Sequence, residues 1–253
     1  MIHDIQKAGF WKRIAAWMFD SILLSVLIVG CGLLLSWLFD YDGYSSQLDK
    51  AYAQYESQYS VVFDISQAEY AKLSDAQRQT YDEAYAALIS DGEAVKAYRM
   101  MTSLSLMITT FGILLAVLLW EFVLPLWMGN GQTLGKKIFG LCLTRPDSVQ
   151  INTMQLFVRT VLGKFTIETM IPVYILLMLF WGTMDLTGTL ILAAMLIGQC
   201  VCIAVTPSRC AIHDLLAGTV VVDMTGQTIF RTTEDLIAYQ KEMAAERSAR
   251  QKY

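Results

Sequence analysis

Charge is what this sequence has least of. Only 17% of its 253 residues are charged, against 55% hydrophobic, where a soluble domain carries roughly 25% charged residues. The shortage points to lipid as the solvent, and a mean hydropathy of +0.44 agrees. With a net charge of −4 and no basic cluster interleaved with aromatics, no nucleic-acid partner is expected. There is no serine–histidine–carboxylate set, no zinc-binding helix and no redox cysteine pair, so neither enzyme activity nor a cofactor is expected. Gly129 to Lys137 resembles a phosphate loop only loosely: Asn130 stands where the first required glycine belongs and Lys137 where a serine or threonine does. Of the five cysteines, Cys31, Cys200 and Cys202 fall in apolar runs and Cys142 and Cys210 beside them, with none between 40 and 101. The spacing of Cys202, Cys210 and His213 fits no zinc pattern. No metal site is expected, and the thiols read as buried and unpaired.

What is present is a set of long apolar runs. The only charge from Ile14 to Phe39 is Asp20, from Met100 to Met128 Glu121, and from Thr169 to Ser208 Asp185. A bilayer core of about 30 Å needs roughly 20 apolar residues in a helix. The first two runs each supply one span. The third supplies two, Phe165–Gly182 and Gly188–Val205, with a tight turn at Asp185. Positive charge near helix ends marks the cytoplasmic side. Lys7, Lys12 and Arg13 precede the first span. Lys136, Lys137, Arg145, Arg159 and Lys164 lie in the 129–164 connection or at its edge, and Arg209 and His213 follow the last span. The 40–101 loop has eleven acids against five bases. Four spans with both termini in the cytoplasm satisfy this distribution. Ile28-Val29-Gly30-Cys31 superficially resembles a lipoprotein cleavage box. The apolar run continues past it and Asp20 interrupts it, so the first span reads as retained.

The fold class expected is an all-α membrane protein with four transmembrane helices, a helical extracytoplasmic insertion and a small cytoplasmic β-pair. Its parts are an N-terminal segment and first span (1–39), an acidic loop (40–101), a second span (102–128), a connection with an amphipathic helix (129–164), third and fourth spans (165–205) and a C-terminal segment (206–253). The loop holds nine of the twelve tyrosines. Ser66 with Glu69 and Ser74 with Gln77 have capping-box spacing, so two or three short helices are expected there, the last running from Asp91 into the second span. Ile138 to Leu143 and Thr219 to Asp223 read as strands able to pair. Asn152 and Thr153 cap a helix carrying Arg159, and the tail after Thr233 reads as a solvated helix.

Three intramembrane carboxylates are candidates for an ion or proton site: Asp20, Glu121 and Glu168. Asp20 lies seven residues after Arg13, roughly 10 Å deeper along one helix face. An ionised carboxylate there must face the bundle, take a proton or pair with a cation. It is a functional candidate or a fixed partner of Arg13 or Arg159. Glu121 precedes Pro125 by four residues, as Glu168 precedes Pro172, and proline frees the carbonyl four residues before it. Each glutamate therefore offers a carboxylate and a carbonyl, an oxygen cluster suited to a cation or water chain, or simply a kinked helix. Arg209 and His213 lie one helical turn apart, Asp214 can accept from Arg13 or Arg159, and His213 titrates near pH 6.5. With Arg13 and Arg159 these form a candidate charge network.

Gly9-Phe10-Trp11-Lys12-Arg13-Ile14-Ala15-Ala16, ending in Asp20, resembles the opening of the RDD family of bacterial membrane proteins. Gly131 to Lys137 resembles its second block, followed by the arginine helix at Arg159. Arg209 to Val221 resembles its third. The match spans nearly the whole chain except 40–101. The family's name-giving arginine and two aspartates fall on Arg13, Asp20 and Asp214. The minimal family domain commonly has fewer spans, and the long acidic loop departs from it. The resemblance implies a multi-pass protein of the bacterial cytoplasmic membrane and transport, sodium/proton exchange included. Two functions follow as expectations. One is ion or proton-coupled transport through the intramembrane carboxylates; four spans are few for alternating access, so a homodimer is expected. The other is a non-catalytic scaffold or accessory subunit that recognises a protein partner through the 40–101 loop.

Overall fold

The computed structural model describes residues 8–180, 182–183, 185–206, 210–225 and 227–250. Arg209, of the candidate network, lies outside them. Four helical stretches are long and apolar enough to cross a membrane: Phe10–Leu38, Gly92–Met128, Thr153–Phe180 and Leu186–Val205. The fold is an all-α membrane fold with one two-stranded sheet. In order, the elements are α1 (Phe10–Leu38), α2 (Tyr41–Tyr59), α3 (Gln67–Tyr70), α4 (Asp75–Ser90), α5 (Gly92–Leu118), a π-helical turn π1 (Leu119–Val123) and α6 (Leu124–Met128). Next come α7 (Leu134–Ile138), β1 (Leu141–Thr144), α8 (Thr153–Phe157), a long π-helical segment π2 (Val158–Met170) and α9 (Ile171–Phe180). The chain ends with α10 (Leu186–Val205), α11 (Ile212–Ala217), β2 (Val220–Asp223) and α12 (Thr233–Arg250).

The chain divides into two compact units, residues 29–113 and the remainder. In the 29–113 unit, Ser66 and Ser74 close capping boxes with Glu69 and Gln77, and α2 packs along α4. Phe63 sits edge-on to Tyr52, Tyr81 and Tyr85, with Tyr70 against Tyr81. These rings pack against one another within the unit, most of them half-buried. The Asp91 carboxylate accepts from the N–H groups of Glu93 and Ala94 and so starts α5, which runs unbroken into the membrane. Between the spans of this unit a Cβ on Gly112 would lie 3.5 Å from Gly32 backbone. Such close approach is how helices associate in lipid, where small residues let backbones meet.

The other unit holds the sheet, the first part of α1, the end of the second span and the third and fourth spans. β1 and β2 pair antiparallel, with Leu141 opposite Asp223 and Thr144 opposite Val220. Leu141, Leu143 and Val221 face Ala8, Ala16 and Leu156, while Cys142, Val220 and Val222 face Cys210, the alternation a pleat requires. The first strand starts later than the apolar run from Ile138 implies. Residues through Ile138 are helical and the chain turns at Gly140, φ 67°; Asp20 caps the start of α7, and this selects helix over strand there. The amphipathic helix and third span are continuous, joined by π2. Burial pushes the Cys142 thiol up to about 12, which makes it inert.

Candidate functional site

The 131–137 segment is a connector built around one carboxylate. Gly131 has φ 60° and packs against Ile151 and Leu143. Gln132 donates to the Leu141 carbonyl at 2.7 Å. Thr133 donates its hydroxyl to Asp20 Oδ2 at 2.5 Å, and the Gly135 N–H donates to Asp20 Oδ1 at 2.9 Å. Asp20 thus caps α7 from another helix, where a carboxylate satisfies the orphan N–H groups of a helix start. A Cβ on Gly135 would stand 2.5 Å from the Ala16 carbonyl oxygen, so only glycine lets α7 come this close to α1. Among the described residues Asp20 forms neither of the arginine pairs its spacing allows, its polar contacts there being the Thr133 hydroxyl and the Gly135 N–H.

The turn at α7 delivers Lys136 into the protein interior, where it meets Glu121. Glu121 Oε2 lies 3.8 Å from Lys136 Nζ and 3.6 Å from Arg159 Nη1, and Glu121 Oε1 pairs with the Lys164 ammonium. Its carbonyl, freed by Pro125, accepts the Thr160 hydroxyl at 3.0 Å, and π1 absorbs the proline by shifting the Leu124 N–H to the Leu119 carbonyl. Both oxygen sources at Glu121 are therefore engaged by protein groups.

Arg159, 2% exposed, is the hub. Its Nε donates to Asp214 Oδ1 at 2.8 Å, and Arg13 Nη2 lies 3.7 Å from Asp214 Oδ2. Burial opposes ionisation of Asp214, yet Arg159, helped by Arg13, holds its carboxyl well below the usual range. His213 Nδ1 lies 2.7 Å from Glu168 Oε2, its backbone N–H donates to Glu168 Oε1, and its Nε2 is 3.6 Å from Asp214. Burial pushes the imidazole below its ordinary range against the pull of Asp214. Gln199 on α10 donates to Glu168 Oε1 and accepts the Ile212 N–H, tying the last span to α11. Burial likewise brings the Lys136 ammonium down to about 7, against the pull of Glu121.

Arg159 and Lys164 are five residues apart. An α-helix turns such a pair onto diverging faces. The i to i+5 repeat of a π-helix brings them onto one, and the Thr166 and Thr169 hydroxyls donate to carbonyls five residues back. Gly163 lies between them. A Cβ there would stand 2.5 Å from His213 Cβ and 2.7 Å from its Cα, so glycine permits α11 to sit on π2.

The cluster lines a cavity of about 640 Å³ that also takes in apolar side chains of α1 and α10, including Trp17, Leu24, Leu192 and Met195. Four buried atoms in its lining have no hydrogen-bond partner: Glu121 Oε2, Lys136 Nζ, Arg159 Nη1 and Asp214 Oδ2. Among the described residues no group of three or more His, Cys, Asp or Glu side chains is placed to hold a metal ion. Of the residues singled out from sequence, Glu121, Glu168, Arg13, Arg159, His213 and Asp214 come together in one network, with Asp20 at its edge. Lys136, Lys164, Thr133 and Gln199 were absent from that set. The signal for the lysines was there: a carboxylate inside a membrane demands a cation, and both sit in the segment that follows Glu121.

Compared with known families, residues 7–218 match the model of the RDD family. No curated protein and no solved structure matches the chain.

Proposed function

The chain belongs to the RDD family, and from that premise we propose that it is a membrane transport protein in which solute movement is linked to proton movement through the buried charge network. The observation that carries this reading is the cavity: charged groups and apolar side chains line it together, and four of its buried polar atoms make no hydrogen bond. A purely structural lock would close such a space. The engaged state of Glu121 favours proton coupling over direct capture of a bare cation, which would have to displace two lysines and an arginine. Glu168 and His213 are the proton-carrying pair, because a change in either one's protonation alters their 2.7 Å contact. Charge distribution supports both termini on the cytoplasmic side, the family resemblance supports the bacterial cytoplasmic membrane, and four spans support a homodimer.

A second reading, a scaffold that binds a partner through residues 40–101, draws on the order of that unit and on the exposure of Tyr85, Ile89 and Tyr98. The test is proton movement in sealed proteoliposomes under imposed sodium, potassium and pH gradients, comparing wild type with Glu168→Gln at equal reconstitution. Movement in wild type that folded Glu168→Gln loses supports transport. No movement under any gradient overturns it and moves the function to the 40–101 unit.

A further inference from the structure

We propose that the cavity binds an amphiphile with an anionic, phosphate-type head group, its head against Lys136 and Arg159 and its chain between α1 and α10. This rests on the reading of the cavity as the transport site and names the class of molecule that occupies it.

The first observation is at the buried end. Lys136 Nζ and Arg159 Nη1 have no hydrogen-bond partner, and both residues are more than nine-tenths buried. An ammonium carries several N–H donors and a guanidinium nitrogen carries more than one. The unpartnered oxygens beside them are Glu121 Oε2 and Asp214 Oδ2. Glu121 Oε2 lies 3.6 and 3.8 Å from the two cations, beyond hydrogen-bonding reach. Both nitrogens carry N–H groups with no acceptor within hydrogen-bonding distance, so the complementary ligand brings acceptor oxygens. Arg13 and Lys164 beside the cluster are partly open, their side chains 20% and 18% exposed, as is Glu168 at 21%.

The second observation concerns the apolar part of the lining. Trp17 on α1 and Leu196 on α10 both line the cavity and are 65% and 63% exposed. Both belong to membrane-spanning helices, so the cavity reaches the surface where acyl chains lie. A free inorganic anion uses the cations and leaves the apolar walls unfilled. An acyl-chain amphiphile uses both.

The test is quenching of Trp17 by brominated-chain phospholipids in bilayers of non-brominated zwitterionic lipid, with no gradient imposed. The Trp17 signal is the difference between wild type and Trp17→Phe. Brominated phosphatidylglycerol is expected to quench it with at least tenfold higher apparent affinity than brominated phosphatidylcholine. That preference is expected to disappear in Lys136→Gln and to weaken in Arg13→Gln, each with the wild-type elution profile; Arg13 is the most exposed of the four cations. Equal quenching by the two lipids overturns the proposal and leaves the space to water. Complete displacement by millimolar inorganic phosphate also overturns it, in favour of a free anion. Selective quenching without proton flux would sink the transport reading and keep this site. Flux without selective quenching would do the reverse.

Discussion

Among the described residues Asp20 makes no direct ion pair inside the first span, because the start of α7 supplies its polar contacts. Two polar hydrogens, from Thr133 and Gly135, meet its two oxygens. Removing the carboxylate leaves both donors buried and unsatisfied, at about 1–3 kcal/mol each. Asp20→Ala is therefore expected to lower the unfolding midpoint of the detergent-purified protein clearly more than Asp20→Asn, which keeps an acceptor oxygen. Equal midpoints for the two variants would show that the cap is not the residue's role. His213 makes a prediction of its own. Glu168, Lys164 and Arg159 of π2 and the adjoining Asp214 surround it, and burial keeps its folded pKa below the ordinary value of about 6.5. The unfolded imidazole takes a proton that the folded one refuses. The stability it contributes is thus complete above about pH 6.5 and is lost as pH falls toward the folded pKa, by at most about 1.4 kcal/mol per pH unit. His213→Gln should flatten the acid limb of stability against pH. Parallel limbs in variant and wild type would contradict this.

Among the elements, π2 does what an α-helix of the same sequence would not. It turns Arg159 and Lys164 toward one glutamate, and its Gly163 admits the backbone of α11. Gly163→Ala inserts a methyl group where His213 Cα would stand 2.7 Å away. Overpacking of this kind costs about 1–3 kcal/mol, so a fall in unfolding midpoint larger than that of Gly198→Ala, where nothing lies within 4 Å, is expected. Equal falls would mean that α11 is not seated on π2. The spans were legible because they depend on apolar length alone, and the capping boxes at Ser66 and Ser74 and the cap at Asn152 because they depend on local spacing. The network's partners were not. Whether Arg159 meets Asp20 or Asp214 depends on a helix whose hydrogen-bond repeat is set by packing, and no local pattern in the residues from Val158 to Met170 announces a π-helix. The α7 start was hidden for a related reason, since its cap comes from a residue more than a hundred positions away.

For the molecule as a whole, Asp20, Glu121, Glu168 and Asp214 gather with Arg13, Lys136, Arg159 and Lys164, a charge-balanced interior in a chain poor in charge. Removing one member leaves its partner buried and unpaired. Arg159→Ala should therefore destabilise by about 3–5 kcal/mol, and it cannot by itself separate a functional role from a structural one. The direct test leaves every charge in place and fills the space beside it. Met195 on α10 lines the cavity, and Met195→Trp adds an apolar ring there. Proton movement in sealed proteoliposomes, measured for wild type and for Met195→Trp at equal folding and reconstitution, decides the matter. The cavity as the site of function predicts at least a tenfold loss of rate in the variant. An unchanged rate would contradict it.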